Sequence, residues 1–180
     1  MSLKHFWYQN VDGDSSFLCG AISVVCEYFN AELMNKKIGL IIESDVFYIG
    51  TLNEISLESA IKSRFVKYMQ NTNADDPKDF NASIDSLSLD LINCKSSLEN
   101  SLAAIFKDME ISKEAIGSQI LDFCASVCHF FSKPISVCSV DDESFINNKL
   151  IKKYYLSRAE KILVVEFASF ALMLVIGYDN

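Results

Sequence analysis

Apolar residues recur at steps of three or four from Cys19 onward, at Cys19, Ile22, Cys26, Phe29 and Leu33. That is the period of an α-helix with one buried stripe, and Asp14-Ser15-Ser16 ahead of it supplies the side-chain oxygens that start a helix. The spacing therefore predicts a helix with Cys19 in its first turn. The segment Ile38 to Thr51 is dense in Ile, Val, Phe and Tyr, with Glu43-Ser44-Asp45 as a polar break, and reads as a strand pair or a strand plus a loop. Leu57, Ile61, Phe65 and Met69 return to helical spacing, and the polar run Asn71 to Lys78 reads as a loop.

Three more helical stretches follow: Phe80, Ile84, Leu87 and Leu91; then Leu98, Leu102, Ile105, Phe106 and Met109; then Ile116, Ile120, Cys124, Val127 and Phe131. The last is entered through Ser112 with Glu110 and Glu114 flanking it. After Pro134 the texture changes. Ile135 to Val140, Lys161 to Phe167 and Ala171 to Ile176 are short runs of β-branched and aliphatic residues, and the last two are close enough to form an antiparallel hairpin. Helices first and strands last predict an α+β fold: an N-terminal buried helix carrying a cysteine, a helical middle over about 57–131 and a C-terminal antiparallel sheet over about 134–180.

Composition narrows the classes. The chain has 180 residues, half of them hydrophobic, with only 2 Pro and 6 Gly, which predicts one domain over 1–180 with no linker or repeat. A net charge of −8 repels phosphate backbones and anionic lipid, so neither a nucleic-acid nor a membrane partner is expected. Lys149-Leu-Ile-Lys-Lys153 is a solvated amphipathic edge rather than a basic patch. No secretory leader and no apolar run of membrane-spanning length is read from the sequence, and a cytoplasmic protein is expected. Cys19, Cys26, Cys94, Cys124, Cys128 and Cys138 are then reduced thiols, mostly packing residues. Cys124 and Cys128 share a helix face at i, i+4, but no second pair with zinc-like spacing completes a metal site. The absence of a Gly-rich phosphate loop and of a Gly-x-Ser-x-Gly elbow removes the common nucleotide and serine-hydrolase readings, and no cofactor is implied.

The residue with a chemical setting is Cys19. A cysteine in the first turn of a helix feels the positive end of the dipole and unpaired N–H groups, which favour the thiolate and can hold an oxyanion. Periodicity alone favours the plainer reading, in which Cys19 merely begins the buried stripe with Ile22 and Cys26.

The segment Asp14-Ser-Ser-Phe-Leu-Cys19-Gly-Ala-Ile-Ser-Val-Val-Cys-Glu-Tyr-Phe29 resembles the nucleophile helix of papain-like cysteine enzymes, particularly bacteriocin-processing (C39-like) peptidases and the N-terminal domain of butirosin-biosynthesis-type acyltransferases. Ala171-Leu-Met-Leu-Val-Ile-Gly-Tyr-Asp179 resembles the strand these families write as His, a few aliphatics and Gly-Tyr-Asp, and Lys153-Tyr-Tyr-Leu156 resembles the segment before it. The resemblance implies a papain-like fold with Cys19 as nucleophile, Gln9 as an oxyanion donor and the catalytic histidine at Ala171, or at Phe170 with a one-residue slip.

Neither Ala171 nor Phe170 can accept a proton, and the chain's histidines are His5 and His129. A thiol without an adjacent imidazole lacks both its activating base and the acid that protonates the leaving group. The expectation is a papain-like domain that is catalytically degenerate and binds a peptide, an acyl-carrier or another protein. Two alternatives stand beside it: an active thiol acyltransferase or peptidase using Cys19, with His5 or His129 as base, and an acidic inhibitor or immunity-type binding protein.

Overall fold

The structure is a computed structural model, and it describes residues 13–49, 56–63, 89–140 and 158–178. Helix α1 spans Gly13–Asn35, strand β1 Leu40–Tyr48, β2 Leu91–Asn93, helix α2 Leu98–Asp108, α3 Lys113–Phe131, and strands β3, β4 and β5 Ser136–Val140, Arg158–Glu166 and Phe170–Tyr178. The fold class is α+β, as the order of patterns predicts. The strands form one sheet in the order β1-β5-β4-β3-β2 with every neighbouring pair antiparallel.

Helices α1, α2 and α3 cover one face of this sheet. Ile22, Cys26, Phe29 and Leu33 of α1, Leu102 and Phe106 of α2, and Ile116, Ile120 and Val127 of α3 are buried against Ile42, Leu163, Leu172 and Leu174. The opposite face is also buried. Phe47, Ile162, Val164, Met173 and Val175 pack there with Ala60 and Ile61 of a helical segment at 57–63. Burial on both faces explains why β4 and β5 read as continuous aliphatic runs, when an antiparallel strand with one wet face would alternate.

The ends of α2 and α3 follow from local chemistry. Ser97 and Ser112 are the N-caps, accepting the N–H groups of Asn100 at 3.2 Å and Ala115 at 3.3 Å. The Glu114 carboxyl is held below its usual range by its own backbone N–H and by the Ser112 hydroxyl. The hairpin between β4 and β5 closes through the Phe167 N–H, which donates to the Phe170 carbonyl at 2.8 Å.

Three expectations change. Glu43-Ser44-Asp45 does not break the strand: β1 pairs with β5 without interruption from Leu40↔Tyr178 to Tyr48↔Phe170. Glu43 and Asp45 share a face with Phe47 by the two-residue period and are themselves buried, so the polar letters hide a strand rather than end one. Leu91, placed in a helix by its spacing from Phe80, Ile84 and Leu87, instead begins β2, because Leu91 to Asn93 pair with Val140 to Cys138 of β3. The helical middle thus contains an edge strand; Phe65, Met69, Phe80, Ile84 and Leu87 lie outside the described residues. Finally, Phe17–Asn35 does have the length and apolar composition of a membrane-spanning helix, although here its inner face lies against the sheet.

Strand β1 is an edge, and α1 covers it. The Asn30 side chain donates to the Ile42 carbonyl at 2.9 Å and accepts the Ile42 N–H at 2.7 Å, satisfying both outward-facing groups of that residue. Replacing Asn30 with alanine leaves two part-buried backbone groups unpaired, at about 1–3 kcal/mol for each group that water does not reach. Urea unfolding of Asn30→Ala is therefore expected to show a loss of roughly 2–4 kcal/mol. A loss under about 0.5 kcal/mol would mean that the edge is not held this way.

Candidate functional site around Cys19

Cys19 meets Val46 and Asn30 meets Ile42, so α1 runs antiparallel to β1. Its N-terminal half therefore lies at the end of the sheet where β1 stops and β5 begins. There the Cys19 thiol donates to the Val46 carbonyl at 3.6 Å, a second side-chain contact from α1 to the β1 edge. The thiol is half-buried at the margin of the main core.

Because the helix begins at Gly13, Cys19 is its seventh residue and lies in the second turn, not the first. Only the first four N–H groups of a helix lack an intrahelical acceptor, so the Cys19 N–H is committed to the helical ladder. The dipole's influence also fades beyond the first turn. The oxyanion role expected of the Cys19 N–H is not available in this arrangement.

Strand β5 decides which residue faces the cysteine. Leu172, Leu174 and Ile176 pack into the core that α1 covers, while Ala171, Met173 and Val175 pack into the cluster on the far side. Ala171, where the resemblance read without a gap puts a histidine, is therefore on the face away from Cys19. Phe170, the one-residue slip, is on the near face with Cys19. Phe170 belongs to an aromatic group at this end of the sheet: Tyr48 meets it edge-on at 5.6 Å, Phe131 lies 6.2 Å away, and Phe131 stacks on Phe167 at 4.6 Å. Phe131, Phe167 and Phe170 thus share with Cys19 the core on the helix-covered face of the sheet.

His129 is carried to the same end, two residues before Phe131 in the last turn of α3. Two residues are about 200° of helix, so His129 points away from buried Phe131, is exposed, and rests its ring on Phe130 at 5.4 Å. Gln9, His5 and Asp179 lie outside the described residues.

All six cysteines are free thiols. Cys124 and Cys128 share a face of α3 as their spacing predicts, and both line a hollow of about 430 Å³ with Leu98, Lys133 and Ile135. Burial, with smaller contributions from Cys128 and Glu99, pushes the Cys124 thiol up to about 12, and burial also raises Cys138. Among the described residues no three His, Cys, Asp or Glu side chains come together as a metal-ligand group.

Sequence reasoning missed the aromatic group and Asn30. The Phe130-Phe131 pair ending one helix and the Phe167 and Phe170 pair flanking one hairpin were visible signals, but only the topology brings them together. Searches against protein-family models, curated proteins and solved structures return no match for this chain.

Proposed function

We propose that the chain is a papain-like domain that has lost catalysis and acts by binding a peptide, an acyl-carrier or another protein. The observation that carries this reading is at the Cys19 end of the sheet: Phe170, packed against Tyr48 and Phe131, stands on the cysteine's face at the position where the resemblance, taken with a one-residue slip, would put an imidazole, and the gap-free position Ala171 lies on the other face. Two further facts support it. The thiol serves as a hydrogen-bond donor to the β1 edge, which a thiolate cannot do, and the neighbouring N–H is used within the helix. Cys19 on this reading is a structural relic of a nucleophile.

Limiting iodoacetamide across about pH 5 to 9, with the modified cysteines mapped by mass spectrometry, tests the reading, since alkylation follows thiolate character and exposure. Exposed Cys128 is expected to react first and Cys19 no faster than a half-buried thiol. Cys124 should stay unmodified to the top of the range because its thiol ionises only near 12. Selective labelling of Cys19 with a midpoint well below the ~8.5 of a free thiol would reject the degenerate reading in favour of an active thiol acyltransferase or peptidase.

The same shift has a consequence for stability. The folded state holds the Cys124 proton more tightly than the unfolded chain, so any contribution is constant below about pH 8.5 and is lost as pH climbs toward 12.

A further inference from the structure

Helix α1 is apolar around most of its circumference, a pattern that belongs to helices covered on all sides. Its inner stripe is covered by the sheet, but Phe17, Val24 and Tyr28 follow one another at i, i+7 and i+11 on the outer face and are 67 %, 65 % and 65 % exposed. Between this face and α3 runs a groove of about 300 Å³, floored by Val25, Phe29 and Phe123 and walled by Val24 and Tyr28. On the rim stand Glu32 from α1 and Asp122 from α3, and neither has an ion-pair partner among the described residues.

We propose that this groove docks a cationic amphipathic helix of a partner protein, its apolar stripe in the groove and its Lys or Arg side chains on Glu32 and Asp122. The rim charges select the occupant. A second copy of this chain would bring two such acidic rims together in molecules of net charge −8, and an anionic lipid surface is repelled by the same groups. Helix-in-groove recognition supplies the geometry: residues at i, i+3, i+4 and i+7 enter a hydrophobic channel, and flanking charges fix orientation. This inference stands apart from the papain-like reading, since it holds whether or not Cys19 reacts.

The test uses the 180-residue chain and a labelled synthetic peptide of leucine and lysine, about five helical turns long, with leucines at i, i+3, i+4 and i+7. Fluorescence anisotropy is read at low and physiological salt. Binding is expected for this peptide, but not for a scramble of the same composition or for a leucine–glutamate analogue. Tyr28→Ala and Val24→Ser should each weaken it by about tenfold. The double substitution Glu32→Gln with Asp122→Asn should weaken it about threefold and flatten the salt dependence. These side chains are at the surface, and circular dichroism and thermal melting verify that the variants fold.

Equal binding of the scramble, or indifference to Tyr28→Ala, would overturn the proposal by reducing the effect to general charge attraction. A concentration-dependent dimer abolished by Tyr28→Ala would overturn it in favour of self-association. Adsorption to phosphatidylcholine vesicles that Tyr28→Ala removes, with no binding of the peptide, would overturn it in favour of a lipid surface. Slow labelling of Cys19 leaves each of these outcomes as it stands, so the two readings fail separately.

Discussion

Truncating Phe29 to alanine should remove about 3–5 kcal/mol of folding stability, a large share of the roughly 5–15 kcal/mol that holds a domain together. Phe29 is 2 % exposed and sits where the three helices meet: its ring is 5.9 Å from Phe106 of α2 and 5.3 Å, edge-on, from Phe123 of α3. Removing it opens a cavity whose walls belong to three separate elements, each held from behind by the sheet. Collapse to fill the space would require all three to shift. Met34, five residues along the same helix and 67 % exposed, is the control, and Met34→Ala should change stability by less than about 0.5 kcal/mol. Urea unfolding with an unchanged slope measures both. A loss below about 1 kcal/mol for Phe29→Ala would mean that α1 is not packed between α2 and α3 as described.

The contrast between Phe29 and Met34 was legible in advance, because the three-to-four period of Ile22, Cys26, Phe29 and Leu33 depends only on helix geometry. Lys113–Phe131 and the β4–β5 hairpin were legible for the same reason: strong period, clear caps and short turns. What could not be read locally depended on partners distant in sequence. Glu43 and Asp45 look like a break until the strand that flanks them is known to run on through pairing with β5. Leu91 fits a helical spacing, yet its strand exists only because β3 offers an edge some forty-five residues later. The candidate site divides along the same line. That Cys19 lies on the N-terminal helix was readable, whereas its place within the helix turns on where the first turn begins, and caps of equal quality at Asp14, Ser15 and Ser16 do not decide that.

Counting residues along β5 likewise cannot settle which face each one takes, since a slip of one reverses them all. That single-residue ambiguity yields a decisive experiment. Phe170→His would put an imidazole on the face Cys19 occupies, and if the end of the sheet is a decayed thiol site, the cysteine should recover part of its reactivity. Lowering a thiol from ~8.5 to ~6.5 raises the thiolate fraction at pH 6 by roughly 80-fold, while the weaker nucleophilicity of the less basic sulfur returns about tenfold of that. The expected gain is about tenfold in Cys19 alkylation at pH 6, gone by about pH 7.5 and reversed above about pH 8, where a free thiol ionises unaided and is the stronger nucleophile. Loss of the ring contacts with Tyr48 and Phe131 should lower stability by about 1–3 kcal/mol, which a folded domain can tolerate. Ala171→His should behave differently. Ala171 is fully buried opposite Phe47, so an imidazole there is overpacked and without a polar partner, at a cost of roughly 3 kcal/mol or more. Its signature is a rise in labelling of every cysteine as the fold opens, with no preference for Cys19. A folded Phe170→His protein whose Cys19 labels no faster than the original would reject the kinship with thiol enzymes at this end of the sheet, and would leave Cys19 as a packing residue whose hydrogen bond helps to seal the edge of β1.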